Sequence, residues 1–265
     1  MRIRIGVGVC WILSLLLPLP VTAHEFWLAP LDHRIDPGER LRAQIRVGQH
    51  FVGDTQPYLP ANTHRFEIDL AGATIPVAAR IGDIPALDQA VTDTGLAIVA
   101  HVSNDFTLEY GREGLFESFL AYEGLTPMLA EHRRRGLPMT GFKERYQRFA
   151  KALVQVGDRP GSDRRLGLAF EWVLQSNPYL SSQRPLRARL YWRGEPLAGV
   201  QARLFVNTRG EVDERVVTTD REGGVELVLP SGSEAMLNAV QLRELPESSG
   251  AVWKSYWSSI SFALP

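Results

Sequence analysis

The feature that most restricts the fold is a period-two alternation of apolar and polar residues, broken at short intervals by turn residues. Leu41, Ala43, Ile45 and Val47 face one way, while Arg42, Gln44 and Arg46 face the other. Phe66, Ile68 and Leu70 repeat the pattern against Arg65, Glu67 and Asp69. Side chains of a strand point alternately to its two faces, so each run reads as a strand with one buried face. Asp36-Pro37-Gly38, Ala71-Gly72 and Thr94-Gly95 separate the runs, and residues 96–102 and Phe106, Leu108, Tyr110 add two more. Short strands at such spacing predict a β-sandwich over residues 24–110.

Strand signals resume in the last third. Leu186, Ala188, Leu190 and Trp192 alternate with Arg187, Arg189, Tyr191 and Arg193, and Arg193-Gly194-Glu195-Pro196 reads as a turn. Val200, Ala202, Leu204 and Val206 follow, then a turn over residues 219–224, then Val225, Leu227 and Leu229, with a last strand at 260–264. This predicts a second, smaller, immunoglobulin-like sandwich over 158–265.

Between them, residues 111–157 read as a helical insertion. Thr126-Pro127 resembles an N-cap with proline in the first turn, and Gly136 a stop. Phe142, Tyr146, Phe149 and Leu153 fall at steps of four, three and four, with Lys143, Glu144, Arg145 and Lys151 on other faces, which predicts an amphipathic helix ending at Gly157. On such a helix Glu144 and Arg148 could pair. Residues 158–163 read as a linker. The expected fold class is mainly β with a helical insertion: two β-sandwich domains joined by a helical block.

Residues 1–23 read as a signal peptide. Arg2 and Arg4 precede an apolar run over 5–17, and Val21-Thr22-Ala23 offers small residues at the −3 and −1 positions. The expected mature chain begins at His24 and is periplasmic or secreted, with no membrane insertion after cleavage, since the run is short of the roughly 20 residues a spanning helix needs. Cys10, the single cysteine, leaves with the leader, so neither a disulfide nor a thiol nucleophile is available. Without Arg2 and Arg4 the 29 basic residues become 27 against 30 acidic ones, a formal charge of −3. That balance gives no electrostatic case for nucleic acid.

The order of motifs resembles a known family. His24-Glu25-Phe26-Trp27-Leu28, Phe119-Leu120-Ala121-Tyr122-Glu123-Gly124-Leu125, the Glu144-Arg145-Tyr146-Gln147-Arg148-Phe149 segment and Asn177-Pro178-Tyr179-Leu180 carry the likeness. So do the segments at Gly194-Glu195-Pro196 and Thr219-Asp220. The chain resembles the domain-of-unknown-function 4198 family, grouped with periplasmic components of nickel and cobalt uptake systems. The resemblance implies a compartment and a fold more directly than an activity.

A histidine at a newly formed amino terminus is unusual ligand chemistry. Its α-amine, with a pKa near about 7.7–8.0, can chelate together with its own imidazole, and one further histidine completes a three-nitrogen site suited to Cu or Ni. Five of the six histidines fall in residues 24–110 and the sixth is His132, so a metal site belongs to the amino-terminal half. His24, His50 and His101 are the candidate ligands for a divalent transition metal (Ni, Co or Cu). His33 and His64 read as surface positions, and His132, in a charged run, as solvated. The copper motif with histidine third is excluded, because Phe26 stands there. No G-x-S-x-G, H-E-x-x-H, P-loop or dinucleotide fingerprint is present. Trp253, Tyr256 and Trp257 read as half-buried strand residues that could otherwise stack on a partner. The expected function is a non-enzymatic exported protein that binds or delivers nickel, cobalt or copper as an uptake accessory, with a membrane permease as partner. A copper-dependent polysaccharide oxygenase and a non-catalytic interaction module stand as alternatives.

Overall fold

The computed structural model describes residues 24–180 and 185–265; the expected signal peptide lies outside them. The chain starts with β1 (Glu25–Pro30), β2 (Arg34–Ile35), β3 (Arg40–Gln49) and β4 (Val52–Gln56). It continues through β5 (Thr63–Leu70), β6 (Ala73–Pro76), β7 (Leu87–Ala90), β8 (Gly95–Ser103) and β9 (Phe106–Glu109). Helices α1 (Leu115–Tyr122) and α2 (Pro127–Arg134) precede the long β10 (Lys143–Val156). Then come β11 (Phe170–Leu174), β12 (Leu186–Trp192), β13 (Glu195–Pro196) and β14 (Gln201–Thr208). Last are β15 (Glu211–Thr218), β16 (Gly224–Leu227), β17 (Ser233–Glu244) and β18 (Trp253–Leu264). The protein is mainly β, as the alternation predicts.

A ten-stranded sheet runs β15-β14-β17-β18-β10-β8-β5-β6, with β2 and β9 also paired to β10. Two four-stranded sheets cover it: β1, β3, β4 and β7 form one, β11, β12, β13 and β16 the other. They sit on opposite faces of β8 and β10. Ala97, Val99, Ala150, Ala152 and Val154 join the core shared with β1 and β3, while Leu96, Ile98, Phe149 and Leu153 join the core shared with β11 and β12.

That double coverage explains the main correction. The amphipathic helix expected over 140–157 is instead β10, and the helical block is confined to α1, α2 and their connections. A strand buried on both faces loses its alternation, because apolar residues are wanted at odd and even positions alike. The steps of four and three are therefore drawn from different cores: Phe142 packs with the helices, Tyr146 borders them, and Phe149 and Leu153 face β11 and β12. Its pairings, parallel to β18 and antiparallel to β8, are distant in sequence and leave no local trace. Glu144 and Arg148, four apart on a strand, share a face without pairing as they would on a helix. The segment read as a linker contains Asp163, which is buried.

The helices cap the ends of β17 and β18. Phe116, Phe119 and Leu120 pack on Val240, Leu242, Trp253 and Trp257, so both tryptophans are buried. His132 is fully buried here, not solvated. The Trp253 indole N–H can only donate, so it donates to His132 Nδ1 (2.9 Å), and His132 Nε2 donates to the Pro138 carbonyl (2.9 Å). Its neighbours in the charged run point outward because α2 buries only one face.

Strand β1 is fastened from below by serines of β18: Ser259 Oγ donates to the Phe26 carbonyl (2.7 Å) and Ser261 Oγ to that of Leu28. This holds the residues next to His24 against β10. The β3–β4 hairpin crosses nearby, and Gly48 faces Gly53 in its ladder. A methyl group on Gly48 would lie 2.0 Å from the Val52 carbonyl oxygen and 2.3 Å from the Gly53 Cα. Gly48→Ala should therefore cost about 1–3 kcal/mol through backbone displacement, read as a lowered urea midpoint. An unchanged midpoint would mean the hairpin opens freely at this pair.

Candidate functional site

Where β8 ends and the small amino-terminal sheet splays from the large one, a cavity of about 180 Å³ opens. Phe26, Ile45 and Val47 wall one side, and His101, Ser103, Phe106, Tyr146 and Arg148 the other. Thr63 closes it at the start of β5. A bulge between Thr63 and Arg65 shifts the register there, so that Thr63 pairs with Ser103 while Arg65 pairs with Val102. Bulges re-aim side chains in this way.

His101 is 3% exposed and packed between the rings of Phe26 and Phe66. Thr63 Oγ1 lies 3.1 Å from the Leu59 carbonyl, which can only accept, and 3.1 Å from His101 Nε2. The one hydroxyl proton goes to the carbonyl, so His101 Nε2 carries the proton and donates to Thr63. His101 Nδ1 is left as a bare lone pair, buried and without a partner among the described residues. Burial, with the charge of Arg148 second, pushes the His101 pKa down to about 3. The ring is neutral throughout the physiological range.

Arg148, on β10, is mostly buried, and its guanidinium carbon lies 4.8 Å from the Tyr146 ring centroid and 5.4 Å from that of Phe26. No carboxylate pairs with it among the described residues. Its Nε is buried without a hydrogen-bond partner, and its terminal nitrogen makes one long contact, 3.5 Å, to the His24 carbonyl. Burial lowers its pKa, but a guanidinium stays charged in proteins. His24 also feels this charge: burial first, then Arg148, hold its imidazole below the usual histidine value.

Of the three histidines singled out from the sequence, His24 and His101 both feel the Arg148 charge. His50 does not join them. It sits in the tight β3–β4 turn at a φ of 53°, exposed, with Nδ1 2.6 Å from Glu214 Oε2. There it borders a second group, in which Arg203 pairs with Glu214 and stacks on Tyr122, its guanidinium carbon 3.3 Å from the ring centroid. The Tyr122 hydroxyl reaches Glu25 at 3.3 Å. Burial pushes Glu25 up to about 7 and Glu123 up to about 8, so the single Arg203 charge is matched by Glu214 while Glu123 stays protonated near neutrality. His33 is half-buried, 3.3 Å from the Tyr179 hydroxyl and 3.6 Å from Glu234, and His64 is exposed.

Among the described residues no three His, Cys, Asp or Glu side chains converge as a metal site, and no helix is long and apolar enough to cross a membrane. The cavity residue that the sequence pattern places on a helix, as a partner for Glu144, is Arg148. Read with period two, Tyr146, Arg148, Ala150, Ala152 and Val154 share one face, and an arginine in such a row is the signal that a helical reading hides.

No curated protein matches this chain. A family model does match, over residues 21–242, and covers β1 to most of β17, including every wall of the cavity. The chain belongs to the family described as Domain of unknown function (DUF4198).

Proposed function

We propose that this is an exported, non-enzymatic protein that binds or delivers a transition metal, with His24 and His101 as its protein ligands. The observation that supports the reading most is the bare, buried Nδ1 lone pair of His101, a residue that feels the same Arg148 charge as His24. Metal ligation requires deprotonated imidazole, and both rings are held below the ordinary histidine pKa. Cleavage before His24 would add the α-amine as a third nitrogen. Such a nitrogen set suits nickel, cobalt or copper better than hard cations. His50, held by Glu214 in another place, is left out of the site.

The same reading treats the two cores as two sandwich units, the second immunoglobulin-like, which offers a surface to a membrane permease. The test is titration of the mature chain with Ni(II), Co(II) and Cu(II), beside His24→Ala and a form that keeps Ala23 ahead of His24. Each change should weaken binding at least about tenfold, on the order of 1.4 kcal/mol, without altering the thermal midpoint of the metal-free protein. Equal affinity in all three forms would overturn the assignment. Ascorbate-driven oxidation of a glycan by the copper-loaded chain would instead favour an oxygenase.

A further inference from the structure

We propose that the cavity at Arg148 is a binding site for a small organic carboxylate. The proposal does not rest on the metal reading: although His101 is both a cavity wall and a proposed ligand, it requires only Arg148 and the apolar walls.

A buried cation without a counter-ion is costly, because the desolvation of the charge is not offset by any partner. Arg148 is in that position: its Nε is orphaned, its one contact to a carbonyl is long, and no carboxylate reaches it among the described residues. Other partly buried arginines of the described residues have partners: Arg203 is neutralised by Glu214, Arg164 by Asp69, and Arg46 donates to the Gly53 carbonyl. Arg148 forms part of a cavity wall, where an anion from solution can supply the missing charge. The guanidinium is also held, with Phe26 and Tyr146 against it, and the Arg148 backbone N–H donates to Ser103 Oγ at 2.9 Å, which fixes the strand beneath. A planar fork immobilised in this way favours two-pronged recognition of a carboxylate over recognition of a point charge.

The remaining walls define the rest of the ligand. Phe26, Val47, Leu59 and Phe106 are apolar, with Gln56 and Asn62 as polar groups among them. An apolar cavity of about 150 Å³ takes up benzene, so one of about 180 Å³ has room for a ring-sized apolar body beside its acid group. Inorganic anions would leave that apolar surface uncovered. The site therefore fits a monocarboxylate with a compact, flat hydrophobic body.

The experiment uses chelator-stripped mature protein, dialysed free of chelator, and three probes: sodium benzoate, benzamide and inorganic phosphate. Benzoate should bind at least about tenfold more tightly than benzamide, its neutral counterpart, and than phosphate by calorimetry, and it should raise the thermal midpoint. Arg148→Met should abolish both effects and, because it removes an unpaired buried charge, should leave the ligand-free midpoint unchanged or higher. Equal binding of benzoate and benzamide would reduce the cavity to an apolar hole and overturn the proposal. Phosphate binding as tight as benzoate would show that charge alone is read, with the same consequence. Should the Arg148→Met chain fail to fold, the benzoate and benzamide comparison on the wild type still decides. None of these outcomes bears on His24, so failure here leaves the metal titration to stand or fall alone.

Discussion

Lys151→Met should destabilise the protein by about 3–5 kcal/mol, the range seen when one partner of a buried ion pair is removed. Lys151 lies in the middle of β10 and is 1% exposed. Its Nζ sits 2.7 Å from Asp163 Oδ1 and 3.4 Å from Glu171 Oε1, and it donates to the carbonyls of Arg164 (3.0 Å) and Trp172 (2.9 Å). One ammonium therefore serves two carboxylates that are themselves buried. Methionine fills much the same volume, so the loss is electrostatic and not a cavity effect.

The carboxylates keep backbone donors after the change: Leu174 and Arg164 for Asp163, Leu166 and Leu168 for Glu171. Those bonds soften the loss without cancelling it. Burial already pushes both carboxyl groups upward, and Lys151 is the charge that pulls them back. Without it they rise further, so protonation relieves the variant in acid and the penalty is greatest above neutrality. Urea unfolding at pH 5 and pH 8 measures this directly. A loss below about 1 kcal/mol at pH 8 would mean that the triad contributes little. Against a total stability of about 5–15 kcal/mol for a typical domain, the expected loss is large. It also ties β10 to the segment that leads into β11, the contact that holds the carboxy-terminal small sheet on the large one.

How much of this was legible follows from what each element answers to. Strands with one buried face announce themselves: β3 and β12 alternate cleanly, and the turn at Arg193-Gly194 closes a two-residue hairpin with Trp192 opposite Glu195. The turn at 219–224 is legible too, because Asp220 Oδ1 accepts the N–H groups of Glu222 and Gly224 as a short acidic side chain before glycine commonly does. Helix α2 follows from Thr126-Pro127 and Gly136. What failed is whatever depends on a second layer. β10 is covered on both faces, and its periodicity belongs to three different cores. His132 looks solvated among charges because nothing local reveals that Trp253, far away in sequence, donates to it. Of the pocket, His101 stood out by residue type, whereas Arg148 became informative only once its missing partner could be seen.

The stability of the wild-type protein should fall by about 2–3 kcal/mol between pH 6.5 and pH 8, the sum of small linkage terms of about 1.4 kcal/mol per unit per group. Glu25 and Glu144 are pushed up to about 7 and Glu123 to about 8, in each case mainly by burial. Glu144 is raised even though Tyr110 and Ser255 both donate to it. A carboxyl group whose folded pKa lies above its unfolded value holds a proton that the unfolded chain has released. Its stabilising contribution is complete below about 4.5, and it is lost as pH rises through the folded value. His101 works in the opposite sense. Its folded pKa of about 3 lies below the unfolded value of 6.5, so it favours folding more as pH rises, with a slope that halves at 6.5 and fades over about the next unit. His24, also lowered, acts with it. From 4.5 to 6.5 the two histidines offset part of the carboxylate loss, the offset fades above 6.5, and above about 7.5 the carboxylates act alone. The decline should therefore steepen at 6.5 and level off above about 8. Glu123→Gln, which is neutral at every pH, should remove the last part of that decline, leaving a curve nearly flat from pH 7.5 upward. Urea midpoints that do not change between pH 6.5 and pH 8 in the wild type would mean that water reaches these carboxylates and that the group around Arg203 is solvated.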